Sequence, residues 1–431
     1  MEILFNNFYK KKEEPFDKVV ENFAKRDNEL QNIRVNDLVN LFDSISQYWT
    51  SDRCKIKNLL NKEGMGFVVP FLKKNNIEKI LGQNFHDFDY LDKPKKVEKY
   101  NSLLYARPLG VAVHWIAGNV PVLGVISLFQ TLLTKNKTIV KVPLSFKNIL
   151  PEIFNDLNKN NFFKLSERKI LKNLTNSLLI IYVEKEDKKN LKIISKVADL
   201  RIAWGGKEAV EEIMKLPKKI NCRDIVFGPK VSLALVSKEA ISTKQKIKEM
   251  ARHLANDVFP FDQAGCNAPH NLIIERNEKF DILEIVKEIK LVFEKKVKKN
   301  KTSINPIDQF NVISKKFIYE SKKNNFVIST NFNSSNVFFS KDMGLKIHDP
   351  LYSRSVFISQ IKDFSILKNN LPKNIQSIGL FASKRKKIEI VKKLAQEGVD
   401  RFPDLGKMSL YQNPWDGYLP LQNMVRWVSI N

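Results

Sequence analysis

Short apolar runs alternate with longer amphipathic stretches from about residue 108 onward. Each stretch that follows a run has the length and spacing of a helix, beginning with VPVLGVISLFQTLLTKN (120–136). Strands that alternate with helices in this way predict βαβ units and a mainly parallel sheet, and wholly apolar strands are typical of sheets covered on both faces. The runs predicted to be strands here are GVAVHWI (110–116), KTIVKVP (137–143), SLLIIYV (177–183) and DLRIAW (199–204).

A second alternating region begins with an amphipathic helix predicted from Thr243 to Val258. Its apolar residues recur at helical spacing and form one continuous stripe. The loop VFPFDQAGCNAPHN (258–271) follows, and then the strand NLIIE and the helix DILEIVKEIKLVFEKK. Further strands are predicted near 326–329, 336–340 and 355–359, then at SIGLFA, before a last helix that ends at Gly398.

The fold class predicted by these patterns is α/β, in two halves. Residues 1–95 are polar and helix-biased, and they form a separate N-terminal segment. The first α/β region covers 96–240, the second covers 241–398, and a C-terminal segment covers 399–431. Within the first region, FKNILPEIFNDL predicts a helix interrupted by Pro151.

The charge balance is strongly basic: 73 Lys and Arg against 47 Asp and Glu give a net charge of +26 over 431 residues. The excess is mostly lysine and is spread along the chain, which indicates a compositional drift rather than a nucleic-acid patch. A basic surface would still attract nucleotides, coenzyme A or an acidic carrier protein. The densest run, EKKVKKNKT (294–302), is either a solvated helix end or a docking patch.

Several classes of protein are disfavoured by what the chain carries. Its three cysteines share no CxxC spacing and its five histidines form no ligand cluster, so we expect neither disulfides nor a metal site. The first residues lack the apolar core of a signal peptide, and no apolar run reaches the ~18 residues of a membrane span. We therefore expect a cytoplasmic protein without a membrane span.

Cys266 is the candidate nucleophile, because it lies among turn residues at a junction between elements. A reactive cysteine needs exposure, nearby donors and a lowered pKa. The amides of Gln263 and Asn267 and the N–H groups of the loop could supply the donors. The alternative is a small buried side chain that fills space, and that interpretation is preferred for Cys54 and Cys222.

Two further junctions could carry chemistry. In HWIAGNVPVLG (114–124), Asn119 lies between a strand and a helix, where it could cap the helix or donate to a developing oxyanion, and taken alone the cap is favoured. In IAWGGKEAV (202–210), Gly205 and Gly206 could present N–H groups to a phosphate or simply form a tight turn. Neither GxGxxG nor a Walker A motif occurs.

The order of these segments resembles the aldehyde dehydrogenase superfamily. RPLGVAVHWIAGNVPVLG and the strand ending in Lys141 and Pro143 are similar to the opening of its cofactor domain, and ADLRIAWGGKEAVEEI to the turn and helix beneath the cofactor. More closely, IAGNVP, FGPKVS, DQAGCNAP and PWDGYLPLQNMVRWV resemble the LuxC-type long-chain acyl-CoA reductases, which supply aldehyde in bacterial bioluminescence operons. The resemblance covers about 105–431.

The resemblance implies a Rossmann-type NAD(P)-binding domain over 96–240 and a catalytic domain over 241–398. Cys266 would take the acyl group as a thioester, and Asn119 with the backbone N–H of Cys266 would form the oxyanion hole. Lys141 would reach the adenosine ribose, and Gly205 and Gly206 would lie near the pyrophosphate. The resemblance also implies a homo-oligomer, with an acyl-protein synthetase and a thioesterase as candidate partners.

Two positions depart from the superfamily's pattern. Val226 stands where the general-base glutamate would be, and Leu144 stands near the position of the glutamate that holds the ribose hydroxyls. Loss of the base fits a reductase that must keep water from its acyl-enzyme. Loss of the other carboxylate, with Lys141 and Lys147 nearby, permits the 2′-phosphate of NADPH. The implied reaction is NADPH-dependent reduction of a long-chain acyl thioester to a fatty aldehyde; the alternatives are a CoA-acylating aldehyde dehydrogenase that uses NAD, and an inactive scaffold subunit.

Overall fold

The structure is a computed structural model that describes residues 1–7, 14–97, 102–299, 306–331 and 334–430. Its α-helices are α1 (Phe16–Lys25), α2 (Val35–Thr50), α3 (Lys57–Lys62), α4 (Val68–Leu72), α5 (Lys74–Phe85), α6 (Pro121–Leu133), α7 (Ile149–Lys159), α8 (Leu165–Asn176), α9 (Lys188–Val197), α10 (Lys207–Met214), α11 (Lys244–Val258), α12 (Ile282–Lys299), α13 (Pro306–Glu320), α14 (Lys384–Leu394) and α15 (Pro420–Asn423). Its strands are β1 (Glu2–Asn6), β2 (Lys95–Lys96), β3 (Leu103–Pro108), β4 (Val111–Trp115), β5 (Lys137–Lys141), β6 (Leu178–Tyr182), β7 (Leu200–Trp204), β8 (Arg223–Phe227), β9 (Val231–Val236), β10 (Pro269–Glu275), β11 (Asn325–Ser329), β12 (Asn336–Met343), β13 (Ser355–Ile361), β14 (Ile375–Phe381) and β15 (Val425–Ile430).

The chain forms two compact units. The first contains residues 1–228 and 418–431, and the second contains residues 229–417. The finer division into segments 1–95, 96–240, 241–398 and 399–431 stays a prediction. The prediction for the lysine run 294–302 is only partly covered, because residues 300–302 lie outside the described residues.

The first unit is built on a sheet with the strand order β1-β6-β5-β4-β7-β8. From β6 to β8 the strands run parallel, as their apolar sequences predict. Helix α6 connects β4 to β5 and is buried on every face, which matches its almost wholly apolar sequence. A second, smaller sheet pairs β15 and β2 with the two edges of β3.

Close packing between β4 and α6 explains why a glycine occurs at position 124 and why His114 is a core residue. A Cβ added to Gly124 would lie 2.7 Å from the Ile116 side chain, so only glycine allows α6 to pack this close. His114 points from β4 toward α6 and lies 3.1 Å from the Thr131 hydroxyl. Complete burial lowers the pKa of His114 to about 3, so the ring is neutral and is a core residue.

Two local features of this unit differ from the predictions. Residues 2–6 were predicted as part of a helix-biased segment, but they form β1, which pairs antiparallel with the edge of β6. Pro151 was predicted to interrupt a helix, but α7 begins at Ile149 and holds Pro151 in its first turn. A proline is tolerated there because the first turn has no intrahelical partner for its N–H.

The second unit contains a sheet with the order β11-β12-β13-β10-β9-β14. All pairs are parallel except β11 with β12, so the sheet is mainly parallel, as predicted. The stripe on α11 is confirmed: its predicted apolar residues are buried and pack on this sheet in one core with α12. Across the described ranges, no helix is both long and apolar enough to cross a membrane.

Candidate active site

Three neighbouring strands of the first unit end at one edge of their sheet with candidate site residues. Strand β4 lies between β5 and β7 and runs parallel to both. The chain leaves β4 toward β5 on one side and later returns as β7 on the other. Open α/β sheets bind nucleotides at the point where the strand order reverses in this way, next to the carboxyl ends of the strands. Asn119 follows β4, Lys141 ends β5, and Gly205 and Gly206 follow β7.

Asn119 is exposed on the turn that leads into α6. Its side-chain oxygen accepts a hydrogen bond from the Val120 N–H at 3.0 Å. Pro121 then occupies the first position of the helix, where a proline is favoured. The contact to Val120 belongs to the turn, and an oxyanion would need the other end of the side chain, its amide N–H group.

Lys141 and the glycine pair could hold an anionic dinucleotide. The Lys141 side chain is half-buried, and this burial lowers its pKa while Glu186 opposes the shift. The Gly205 N–H donates to the Phe227 carbonyl at 3.2 Å, which ties the turn to β8. Gly206 is exposed, with open space where a Cβ would be, and α10 begins directly after it.

Buried indole groups lie at the same edge. The Nε1 atoms of Trp115, at the end of β4, and Trp204, at the end of β7, are buried and have no hydrogen-bond partner among the described residues. Trp204 stacks on Phe227 with ring centroids 3.9 Å apart. A lysine, a helix N-terminus and two unpaired donors around a switch point fit a dinucleotide cofactor.

Cys266 lies in the second unit, on the connection between α11 and β10. It is partly exposed, whereas Cys54 and Cys222 are buried. The residues before it form a short 3₁₀ turn (Pro260–Gln263), in which Phe261, Asp262 and Gln263 all have positive φ, between 51° and 68°. Left-handed conformations of non-glycine residues are costly, so contacts elsewhere must hold this loop.

Gln263 supplies those contacts. Its fully buried side chain donates to the carbonyls of Pro269 and Ser355, at 2.8 and 2.9 Å, and accepts from the Ser355 N–H at 2.7 Å. Asp262 pairs with Arg354, and Arg354 belongs to a second left-handed run just before β13. The loop is therefore fastened to the beginning of a core strand.

Of the predicted donors to the thiol, the two side-chain amides were wrong, whereas the backbone N–H of Cys266 in the loop does lower the pKa of the thiol. The Gln263 amide binds backbone carbonyls of the loop and of β13, and the Asn267 amide donates to the Met408 carbonyl at 3.0 Å. Both side chains shape the loop because buried backbone carbonyls need partners. The backbone of Cys266 is held too, since the Ser232 hydroxyl donates to its carbonyl at 2.7 Å.

The polar side chains that act on the thiol come from later in the sequence. Burial raises the pKa of Cys266 to about 12; the Asp416 carboxylate also raises it, while Gln376 and Arg401 lower it. This direction is opposite to the lowered pKa that a reactive cysteine was expected to have. The resting residue is a neutral thiol near pH 7.

The sequence offered little signal for these three residues. Gln376 lies in a strand, and Arg401 and Asp416 lie in a segment without regular periodicity. The one local signal is PWDG, in which Gly417 has φ 77° and a Cβ would lie 2.9 Å from the Asp400 carboxylate. Among the residues that the structure describes, no group of three or more His, Cys, Asp or Glu side chains could hold a metal ion.

Comparison with known proteins identifies relatives over almost the whole chain. A long-chain acyl-protein thioester reductase of Aliivibrio fischeri is 26% identical over 428 residues, which cover 92% of this chain and 82% of the relative. The Vibrio harveyi protein of the same name is 25% identical, covering 93% and 83%.

Solved structures show the same fold at low identity. A betaine aldehyde dehydrogenase of Staphylococcus aureus matches with a TM-score of 0.60 at 12% identity, covering 96% of this chain and 85% of that one. An NAD-dependent benzaldehyde dehydrogenase of Corynebacterium glutamicum matches with a TM-score of 0.58 at 12% identity, covering 96% and 88%. The fold is thus that of the aldehyde dehydrogenases. The acyl-CoA reductase (LuxC) family matches residues 30–427, and the chain belongs to that family.

Proposed function

We propose that this protein reduces a long-chain fatty acyl thioester, carried by coenzyme A or by a protein, to a fatty aldehyde with NADPH. The observation that carries the proposal is Cys266, partly exposed on a loop that Gln263 fixes to the core. Family membership gives the reaction class. The relatives' name, long-chain acyl-protein thioester reductase, supports a long acyl chain and a protein carrier.

The first half of the reaction is thioester exchange. The Cys266 sulfur attacks the acyl carbon, the carrier thiol leaves, and the acyl group remains on Cys266 as a thioester. The fixed loop holds the sulfur in one place, which lowers the entropic cost of reaching the reactive geometry. Asn119, by the resemblance, donates its amide to the oxygen of the acyl group.

The second half requires a hydride donor. Lys141, Gly205 and Gly206 would hold the phosphates and ribose of a nicotinamide dinucleotide at the edge formed by β5 and β7. When bound, the nicotinamide supplies the hydride that reduces the acyl carbon. The chain's own task is then to keep water away until the aldehyde leaves, and the apolar Val226 in place of a carboxylate supports slow hydrolysis.

The preference for NADPH rests on the end of β5. Leu144 follows that strand with an exposed side chain, where a carboxylate would repel a 2′-phosphate. Lys141 ends the strand and Lys147 follows nearby, paired with Glu2. Attraction by these cations and the absence of a carboxylate at Leu144 both favour the extra phosphate.

Isolation of the acyl-enzyme tests the thioester intermediate and the nucleophile. Intact mass spectrometry after mixing with hexadecanoyl-CoA, without NADPH, should show one added acyl group. Cys266→Ala should remove it, whereas Cys54→Ala and Cys222→Ala, matched controls at buried cysteines, should keep it. Acylation of the Cys266→Ala variant would contradict the proposed nucleophile.

A chase of the isolated acyl-enzyme separates direction and cofactor. NADPH should give aldehyde rapidly, NADH should give it more slowly, and buffer alone should release little free acid. Rapid acid release in buffer, or faster aldehyde formation with NADH, would contradict the interpretation of Val226 and Leu144. Acylation without any aldehyde would favour a scaffold or a transferase.

A further inference from the structure

Three buried polar side chains from distant parts of the second unit act on the pKa of the Cys266 thiol. Gln376 comes from β14, and Arg401 and Asp416 come from the segment after α14. Their exposed fractions are 0%, 5% and 6%. Burying a carboxylate and a guanidinium is costly, so a cluster of this kind calls for a reason beyond packing.

Hydrogen bonds and ring contacts hold the cluster in place. The Gln376 amide donates to Asp416 Oδ1. The guanidinium of Arg401 lies 4.2 Å from the centre of the Trp415 ring and donates to the Leu410 carbonyl at 3.2 Å. Its Nε and Nη1 atoms are buried without a partner among the described residues.

The cysteine loop and this cluster are joined directly. The Asn267 amide, next to Cys266, donates to the Met408 carbonyl at 3.0 Å, and Arg401 approaches the same carbonyl at 3.4 Å. Gln376 and Arg401 also lie on adjacent backbone, because the Arg401 N–H donates to the Gln376 carbonyl at 3.1 Å. Gln376 connects the two groups: a hydrogen bond from its side chain lowers the pKa of the Cys266 thiol, and its amide donates to Asp416 Oδ1, so the thiol and the carboxylate belong to one cluster.

The chemistry of the thiol needs a proton acceptor. With its pKa raised to about 12, Cys266 is almost wholly protonated near neutral pH, yet only the thiolate attacks an acyl carbon readily. The position of Val226, where the resemblance would place a base, carries no carboxylate. Burial also raises the pKa of Asp416, which makes it a stronger base than an exposed aspartate.

We propose that Asp416 takes the proton of the Cys266 thiol during attack and passes it to the departing carrier thiol. The inference rests on the proposed function. The Cys266 sulfur forms a bond to the acyl carbon, the bond from that carbon to the carrier sulfur breaks, and the proton moves from Cys266 through the Asp416 carboxylate to the carrier sulfur. Nothing is oxidised or reduced in this step.

The charges around the Cys266 thiol and the Asp416 carboxylate predict what Asp416 would do if it acted through its charge alone, without accepting a proton. Cys266 faces Asp416 and Arg401, and Asp416 faces Lys230, Asp400 and Arg401. The negative charge of Asp416 disfavours the thiolate. A carboxylate that acted only through its charge would therefore slow acyl transfer, and its removal would speed the reaction, whereas removal of a base would slow it.

The experiment compares Asp416→Asn with the unaltered protein and with Asp404→Asn. Asparagine keeps an oxygen for the Gln376 amide but has no charge and no basicity. Asp404 is a matched control in the same segment, because it pairs with Lys387 and Lys407 instead of facing the thiol. Two rates are measured: acylation of Cys266 by hexadecanoyl-CoA, by intact mass, and alkylation by iodoacetamide, which reports the thiolate.

In Asp416→Asn, acyl transfer should fall by roughly 10²–10⁴-fold, the usual contribution of a general base, while alkylation at a fixed alkaline pH becomes faster. Asp404→Asn should change neither rate. If both rates rise, or if acyl transfer is unchanged, Asp416 is not the base. Lack of acyl transfer in the unaltered protein would overturn the proposed function and this inference together, whereas its persistence in Asp416→Asn would overturn this inference alone.

A measurement on the unaltered protein decides the matter if the variant does not fold. With a base at work, the pH profile of acyl transfer should reach its plateau at a clearly lower pH than the profile of alkylation. The reason is that the base removes the thiol proton while the sulfur attacks the acyl carbon, whereas iodoacetamide reacts only with thiolate that has already formed. Coincident profiles would overturn the proposal.

Discussion

The side chain of Asn119 accepts a hydrogen bond within a turn and is proposed to donate to an oxyanion, and one substitution separates these two roles. Asn119→Ala removes the contact to the Val120 N–H, which should lower stability by about 1 kcal/mol. If the amide also donates to the acyl oxygen, turnover should fall by roughly 10²–10³-fold. Steady-state kinetics and thermal unfolding of the same variant give both numbers.

Asn28→Ala is the matched control for Asn119→Ala. The Asn28 side chain likewise accepts from a nearby backbone N–H, that of Leu30 at 3.2 Å, at the beginning of a short helix. This variant should lose stability and keep its turnover. Normal turnover with a lowered melting temperature in Asn119→Ala would reject the oxyanion role.

At the scale of single residues, the sequence singled out Cys266 as a candidate nucleophile but did not reveal the side chains that surround it. Cys266 could be singled out because its neighbours are turn residues, which is a local signal. The neighbours themselves were misassigned, since Gln263 and Asn267 bind backbone carbonyls. Gln376 and Asp416 are more than a hundred residues away along the chain, and only the pairing of parallel strands brings that region to the thiol.

The loop before Cys266 is the element on which the site depends, and Gln263 fixes it. Gln263→Leu would remove three buried hydrogen bonds, from its amide to the carbonyls of Pro269 and Ser355 and from the Ser355 N–H to its oxygen, each with a net contribution of about 0.5–1.5 kcal/mol. We expect a clear loss of unfolding free energy together with faster alkylation of Cys266, because a loosened loop exposes the thiol. Denaturant unfolding and iodoacetamide kinetics measure the two effects.

Gln47→Ala provides the control for Gln263→Leu. Gln47 is an exposed residue of α2 that binds the Asp43 carboxylate one turn earlier, so its loss should change stability by less than about 0.5 kcal/mol. A Gln263→Leu variant as stable as this control would show that the left-handed loop is held by other contacts, such as the pair of Asp262 with Arg354.

Elements with strong periodicity were predicted well, and those set by context were not. The stripe on α11 and the strand β7 could be predicted from their own residues, because the apolar pattern of each segment indicates which of its faces is buried. Strand β1 exists only because the edge of β6 offers unpaired backbone groups to it. Whether Pro151 interrupts α7 or lies in its first turn depends on the residue at which the helix begins, and helix propensities do not locate that residue.

At the scale of the whole molecule, the α/β class and the mainly parallel sheets follow from the alternation of strands and helices. The strand orders do not, because alternation is compatible with several orders of parallel strands. In the first unit β7 lies beside β4, opposite β5, so Lys141 and Gly205 follow strands on the two sides of this switch point. The resemblance implies a shared cofactor role for these residues, which stays a proposal, and the periodicity alone could not give the strand order.

The net charge of +26 also acts at this scale, because charges far from a site still set the potential that an anionic substrate meets. We expect the kcat/KM for hexadecanoyl-CoA to fall by roughly tenfold or more between about 0.01 and 1 M salt, as the screening length shortens from about 30 to 3 Å. The control is the neutral N-acetylcysteamine thioester of the same acyl group. Salt strengthens burial of the acyl chain equally for both substrates, so their ratio isolates the electrostatic part. Equal salt dependence for the two thioesters would show that the basic excess plays no part in capturing the carrier.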